Sequence, residues 1–142
     1  MKLGIDLGGS HIAIGVVDNE GKILEKEEQR ITIKEKENIK KFIEITILNK
    51  YKELKQKYEI EKIGIAIPGA LTQKAIINAH NLGLKNYNIV EKLEKEIQLP
   101  IKIKNDAKCA ALAENEYGCL KKSNRNVFLT LGTRNRWSSD NR

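Results

Sequence analysis

Three strand-like segments follow one another with no helix between them, and strands and helices then alternate. No other feature of the sequence restricts its fold as much. Residues 2–6, 11–18 and 22–31 read as strands, and Asp18-Asn19-Glu20-Gly21 turns the second into the third, with Gly21 suited to a positive φ. Ile39, Ile43, Ile47, Tyr51, Leu54 and Tyr58 then recur at helical spacing, predicting one long helix over residues 34–58 with a lysine-rich outer face. Ile63-Gly64-Ile65-Ala66-Ile67 reads as a continuous apolar strand ended by Pro68-Gly69. A short hairpin is expected around Gln73-Lys74, leading to Asn78-Ala79-His80-Asn81-Leu82. Asn88 caps a helix over residues 89–97, and Pro100 starts a strand over 101–104. Asn105-Asp106 opens another helix, closed by Gly118, and residues 126–131 form a last strand running into Gly132-Thr133. The fold class is α/β: a mixed sheet of three sequential strands followed by parallel strands with crossover helices. Ligands of such sheets gather at the carboxyl ends of strands, where Asp6, Pro68-Gly69 and Asn105-Asp106 all fall.

Composition narrows the class of partner. The 142 residues include 26 Lys plus Arg and 19 Asp plus Glu, a net charge of +7. The basic excess lies mostly in lysines interleaved with glutamates, as in Lys34-Glu35-Lys36-Glu37, a pattern of solvated helix faces. No helix-turn-helix, aromatic RNA-binding strand or zinc finger accompanies it, so no nucleic-acid partner is expected. No apolar run reaches the length of about 18 residues that a membrane span needs. The first residues lack the apolar core of a signal peptide, so a cytoplasmic protein without membrane contact is expected. Cys109 and Cys119 have neither a C-x-x-C nor a zinc-type spacing and read as reduced thiols, Cys109 as core packing.

Few residues can carry chemistry. Asp6-Leu7-Gly8-Gly9-Ser10 occupies a strand-to-strand turn, where paired glycines let backbone N–H groups approach an anion, Ser10 adds a hydroxyl and Asp6 can hold magnesium through water. The same pair also reads as a plain hairpin turn. It matches neither G-x-G-x-x-G nor the P-loop pattern, which argues against those nucleotide folds. Asn105-Asp106 reads as a helix N-cap, or as a carboxylate beside a cleft that takes a proton from a substrate hydroxyl while Asn105 positions that substrate. Asn81 is polar in a loop, and His11 and His80 are titratable.

Taken in order, Ile5-Asp6-Leu7-Gly8-Gly9-Ser10, Gly64-Ile65-Ala66-Ile67-Pro68-Gly69, Asn81-Leu82-Gly83, Leu99-Pro100-Ile101, Asn105-Asp106-Ala107 with Ala110-Ala111-Leu112-Ala113-Glu114, and the strand into Leu131-Gly132-Thr133 resemble the ROK family of sugar kinases and repressors. The resemblance covers residues 1–133. It implies the actin-like ATPase (ribonuclease H-like) fold, in which two lobes close on ATP and sugar, and places residues 1–120 as the N-terminal lobe and 121–133 as a linker and the first strand of a second lobe. It further implies ATP-dependent phosphorylation of a hexose or N-acetylhexosamine. Asp6, with magnesium, and Gly8, Gly9, Ser10, Gly132 and Thr133 would serve the nucleotide. Gly69, Asn81, Asn105 and Asp106 would contact the sugar, with Asp106 as general base. Ser10 stands where Thr is commoner in the family, His11 where Lys is frequent, and Ala70-Leu71-Thr72-Gln73 lacks the acidic residue often found after Pro-Gly. The repressors of the family carry a winged helix ahead of the glycine-turn motif, which here begins at Gly4. That argues against a transcriptional regulator, which is kept as an alternative beside a non-catalytic sugar-binding fragment.

After Thr133 the family pattern continues Gly-x-Gly-Gly, whereas this chain reads Arg134-Asn135-Arg136-Trp137-Ser138-Ser139-Asp140-Asn141-Arg142. Back-translated with suitable synonymous codons and shifted by one base, the tail reads Gly-Ile-Gly-Gly-Ala-Val-Ile-Ile, and the forced TGG codon of Trp137 supplies part of the glycine pair. Residues 134–142 are therefore expected to be an out-of-frame tail behind one inserted A. The second phosphate loop, the adenosine pocket, the family's Cys/His zinc site and its homodimer contacts would then be lacking, leaving the chain truncated and inactive. The strand over residues 127–131 is expected to lose its sheet and present an apolar edge. The tail carries +2 of the net charge, which leaves +5 on the lobe.

Overall fold

The structure, a computed structural model, describes residues 1–118 together with the backbones of two strands at 125–130 and 136–141. It divides into two units, Met1–Lys104 and Asn105–Arg142.

The first unit is built on five strands: β1 (Lys2–Leu7), β2 (His11–Val17), β3 (Ile23–Arg30), β4 (Lys62–Ile67) and β8 (Ile101–Asn105), the last of which ends in the second unit. Their order across the sheet is β3-β2-β1-β4-β8. β2 runs antiparallel to both β1 and β3, and β4 parallel to β1, with Leu3 opposite Val16 and Ile63. The Ile63 N–H donates to Pro100 O at 3.0 Å, so β8 starts beside the start of β4 and runs with it. This is the mixed sheet expected from the sequence. Alternation explains its two faces: Leu3, Ile5 and Leu7, Ile12, Ile14 and Val16, and Ile63, Ile65 and Ile67 are buried on one side. The other side of β4 carries Lys62 and Gly64, both exposed, and the half-buried Ala66, so this strand is buried on one face rather than on both.

The long helix predicted over residues 34–58 is two helices. α1 (Ile33–Lys36) is fixed by a capping box, in which the Glu35 N–H donates to Thr32 Oγ1 at 3.4 Å and the Thr32 N–H to Glu35 Oε2 at 2.5 Å. Asn38 then leaves helical geometry at φ −134°, ψ 51°, and α2 (Ile39–Leu54) starts after it. The apolar spacing starts at Ile39, after the break, and α1 has no buried residue, so spacing alone could not place it. Ile39, Ile43, Ile47 and Leu54 are the buried stripe, and at about 1.5–3 kcal/mol per buried side chain they outweigh the weak helix propensity of a segment rich in isoleucine.

A smaller sheet of β5 (Ala70–Leu71), β6 (Ile76–Ala79) and β7 (Leu84–Tyr87) follows β4, its hairpin at Gln73-Lys74 as expected. β7 was not foreseen, because only its ends, Leu84 and Tyr87, are apolar and buried. The Tyr87 hydroxyl donates to Glu44 Oε1 on α2 at 2.5 Å; burial and this carboxylate push its pKa up. α3 (Ile89–Glu94), three residues shorter than predicted, is capped by Asn88, whose Oδ1 accepts the Glu91 N–H at 3.2 Å.

In the second unit, α4 (Asp106–Glu116) lies against β9 (Arg125–Thr130) and β10 (Arg136–Asn141). β9 and β10 pair antiparallel from Thr130 opposite Arg136 to Arg125 opposite Asn141. The expectation that the strand near Val127 lacks a partner is therefore corrected: ladder hydrogen bonds belong to the backbone, so a polar tail can supply them. Leu131, Gly132, Thr133 and Cys119 lie outside the described residues.

Candidate functional site

β1 ends at Leu7 and β2 begins at His11, leaving Gly8, Gly9 and Ser10 as a tight connection. The Gly8 N–H donates to His11 O at 2.9 Å and closes it. Positive φ among the described glycines is confined to Gly21, Gly69 and Gly83, so Gly9 is required by proximity rather than by handedness, and Gly8 faces the His11 ring. A Cβ on Gly8 would lie 2.9 Å from the His11 ring, and one on Gly9 would lie 2.9 Å from the Asn81 Cβ. Backbone groups are thus bare where an anion would approach, as a phosphate cradle requires. Ser10 is exposed, its hydroxyl 3.5 Å from His11 Nδ1.

Asp6 is exposed near the end of β1, between Ala13 of β2 and Ala66 of β4. Its sheet neighbours are small, and an exposed aspartate at a strand end suits a magnesium ion that keeps most of its aqua ligands. Among the described residues no group of three or more His, Cys, Asp or Glu side chains is placed to enclose a metal.

The structure brings the Gly9 turn together with Asn81. Asn81 lies in a 3-10 turn, His80–Leu82, held by buried Leu82 and closed by Gly83 at φ 65°. Gly69, at φ 107°, sits where any Cβ would collide with Asn78 O and approach Ala79, on the strand that leads into Asn81. Gly9, Asn81 and Gly69 therefore form one connected, solvent-facing set. Asn105 and Asp106 belong to the second unit. There the Asn105 Oδ1 accepts the N–H groups of Ala107 at 3.1 Å and Lys108 at 3.4 Å, so the capping role read from the sequence is real. The half-buried Asp106 accepts the Ala107 N–H at 2.9 Å, which fixes its carboxylate at the helix start. Gly132 and Thr133 are outside the described residues.

Two features escaped the sequence reading. Asn78 backs Gly69, and the Asn-x-x-Asn run from Asn78 to Asn81 was its only signal. Arg30 stands opposite His11 in the β2–β3 register and lines, with Ser10, His11 and Lys34, an open groove of about 770 Å³. The register shift between Val16 and Val17 hid the pair, since counting back from the Gly21 turn sets His11 opposite Gln29.

A family profile described as the ROK family matches residues 2–134. A glucokinase of Streptomyces coelicolor is 30% identical over 135 residues, covering 94% of this chain and 41% of that protein. An N-acetylmannosamine kinase of Citrobacter koseri is 33% identical over 133 residues, covering 92% and 44%. Among solved structures, a ROK family glucokinase from Streptomyces griseus in complex with glucose and AMPPNP superposes with a TM-score of 0.84 at 27% identity, over 99% of this chain and 44% of that one. The chain thus spans less than half the length of the relatives it matches, and its sheet is that of the actin-like ATPase fold. With the profile covering nearly every residue, the chain belongs to the ROK family.

Proposed function

We propose that this chain carries the sugar-facing half of an ATP-dependent hexose or N-acetylhexosamine kinase. The contact of Gly9 with Asn81 carries the reading, because it puts a candidate phosphate turn against a candidate sugar ligand. Magnesium-bound ATP would supply the phosphoryl group. Gly8, Gly9 and Ser10 would receive its phosphates through backbone N–H groups and a hydroxyl, with Gly132 and Thr133 on the same nucleotide and Asp6 holding aqua ligands of the metal. Gly69, Asn81 and Asn105 would orient the sugar. Asp106 would accept the proton of the attacking hydroxyl, a role that contributes typically about 10²–10⁴-fold, positioning and charge stabilisation supplying the rest.

The polypeptide as it stands would be catalytically silent. Its match to the family profile ends at residue 134, where the glycine-rich pattern gives way to Arg134-Asn135-Arg136, in line with a shifted reading frame. A coupled phosphorylation assay over a panel of hexoses and N-acetylhexosamines tests both parts. The 142-residue protein should show no turnover, and a protein expressed from the one-base-corrected frame should phosphorylate at least one sugar. Turnover by the 142-residue chain refutes the inactivity. Sugar binding by both proteins without turnover by either refutes the kinase and leaves a sugar-binding module.

A further inference from the structure

We propose that β3 pairs with β3 of a second copy of this chain, antiparallel about a two-fold axis at Glu27, so that two five-stranded sheets join into one. The inference is independent of the kinase reading. β3 ends the strand order β3-β2-β1-β4-β8, and among the described residues it pairs with β2 alone. At eight residues it is the longest strand of that sheet, and it holds no proline. Its one irregularity falls at Leu24, near its start, and leaves residues 25–30 in unbroken register. An edge of that length presents a free row of N–H and C=O groups and is a template for another strand unless something blunts it.

Backbone geometry and charge together select one register. The Ile31 N–H donates to Ser10 O at 2.8 Å, so by the alternation of an antiparallel ladder Gln29, Glu27 and Glu25 bond to β2. The N–H and C=O groups of Arg30, Glu28 and Lys26 then point away from β2, and a second strand must set even-numbered residues opposite even-numbered ones. With Glu27 on the axis, Lys26 of each copy faces Glu28 of the other, which gives two cross-strand ion pairs. A shift of the axis by one residue sets Lys26 opposite Lys26, or Glu28 opposite Glu28. On the face toward α2, Glu25 faces Gln29 of the other copy. Glu27 meets its own symmetry mate with its charge already matched by Lys50 at 2.5 Å. Apolar surface points the same way. Ile23, 59% exposed, opens β3 and Ile33, 86% exposed, lies just past its end, and the two-fold brings the start of one strand to the end of the other. Glu27 and Gln29 also line, with Phe42 and the exposed Ile45 of α2, a groove of about 400 Å³ whose apolar wall a second strand would cover.

The test is sedimentation equilibrium of the 142-residue chain from micromolar to submillimolar concentration, with amide hydrogen exchange followed by ¹⁵N NMR at both ends of that range. A small, strand-mediated interface predicts a dimer with a dissociation constant on the order of 10⁻⁵ M. The amides of Lys26 and Glu28 should exchange more slowly in the dimer, and those of Glu25 and Glu27, already bonded to β2, should change less. Lys26→Glu opposes like charges twice across the axis and should weaken dimerisation about tenfold. Lys26→Glu combined with Glu28→Lys reverses both pairs and should return the dissociation constant to within about threefold of the parent. A monomer at every concentration overturns the proposal. So does a dimer that Lys26→Glu leaves unchanged, or one in which the Lys26 and Glu28 amides gain no protection, since either places the interface elsewhere. A double variant no tighter than Lys26→Glu alone overturns the register about Glu27, and the proposal with it.

Discussion

Replacing Gly9 by Ala drives the glycine turn into Asn81. The new Cβ would start 2.9 Å from the Asn81 Cβ and 3.4 Å from its carbonyl oxygen. Non-bonded carbons settle at about 3.5–4.0 Å, so the two segments must part by roughly 0.6–1.1 Å. Asn81 cannot swing aside as a flexible tip would, because its Cβ is fixed by a 3-10 turn anchored through buried Leu82 and closed by Gly83. Strain of this kind costs about 1–3 kcal/mol. With urea slopes of about 1–3 kcal/mol per molar, a loss of 2 kcal/mol lowers the unfolding midpoint by roughly 1 M. Gly64→Ala is the control: Gly64 pairs with Gly4 in the sheet centre, has no positive φ, and a Cβ there meets nothing within 4 Å. That substitution should be neutral or stabilising by up to about 1 kcal/mol, through the unfolded chain. Urea unfolding of the two variants beside the parent separates crowding from a generic glycine effect. Equal midpoints for Gly9→Ala and Gly64→Ala would show that the turn and Asn81 are not in rigid contact, and the connected site described above would fall with it.

Tyr87→Phe should cost about 1–2 kcal/mol by chemical unfolding, since it removes the donor to Glu44. Because the folded state raises the Tyr87 pKa, the stability tied to its protonated form is present below the unfolded value of about 10 and is lost as pH rises past it. Melting temperatures should therefore fall more steeply above about pH 10 in the parent than in Tyr87→Phe, and parallel curves would contradict the assignment. At the acid end, Lys50 hydrogen-bonds Glu53 and lowers its pKa, so that contribution is present above the ordinary carboxylate range and disappears as pH falls through it. Lys50→Gln should flatten this acid limb, which a pH series of thermal melts reads directly. In a frame-corrected protein, Asp106→Asn should lower kcat by about 10²–10⁴-fold with little change in sugar KM, whereas a purely capping role would spare kcat and lower only the melting temperature. Resequencing the coding region across the Thr133 codon checks the frame itself, and an unaltered reading with no Gly-x-Gly-Gly in the neighbouring frame removes that explanation of the tail.

What was legible in the sequence was whatever short-range pattern encodes. Alternation along β1, β2 and β4 follows from the pleat, and it located Asp6 near a strand end and the glycine pair in the turn after it. The capping role of Asn105 was legible for the same reason, since an N-cap side chain reaches only two or three residues ahead. The break at Asn38 was hidden because the apolar series from Ile39 to Leu54 lies wholly after it and does not fix where the helix begins. β10 was hidden because Arg136–Asn141 has no apolar alternation and pairs through its backbone. The candidate site lies mostly on this second side of the line. Gly9 meets Asn81, and Gly69 meets Asn78, only after β1 and β4 have paired in parallel and the small sheet has folded back from β4. A glycine pair in a hairpin turn is ambiguous while it is viewed locally, since a turn tolerates glycine without needing it. Contact with Asn81 makes Gly9 a requirement, and that requirement is what separates a site-building turn from an ordinary one.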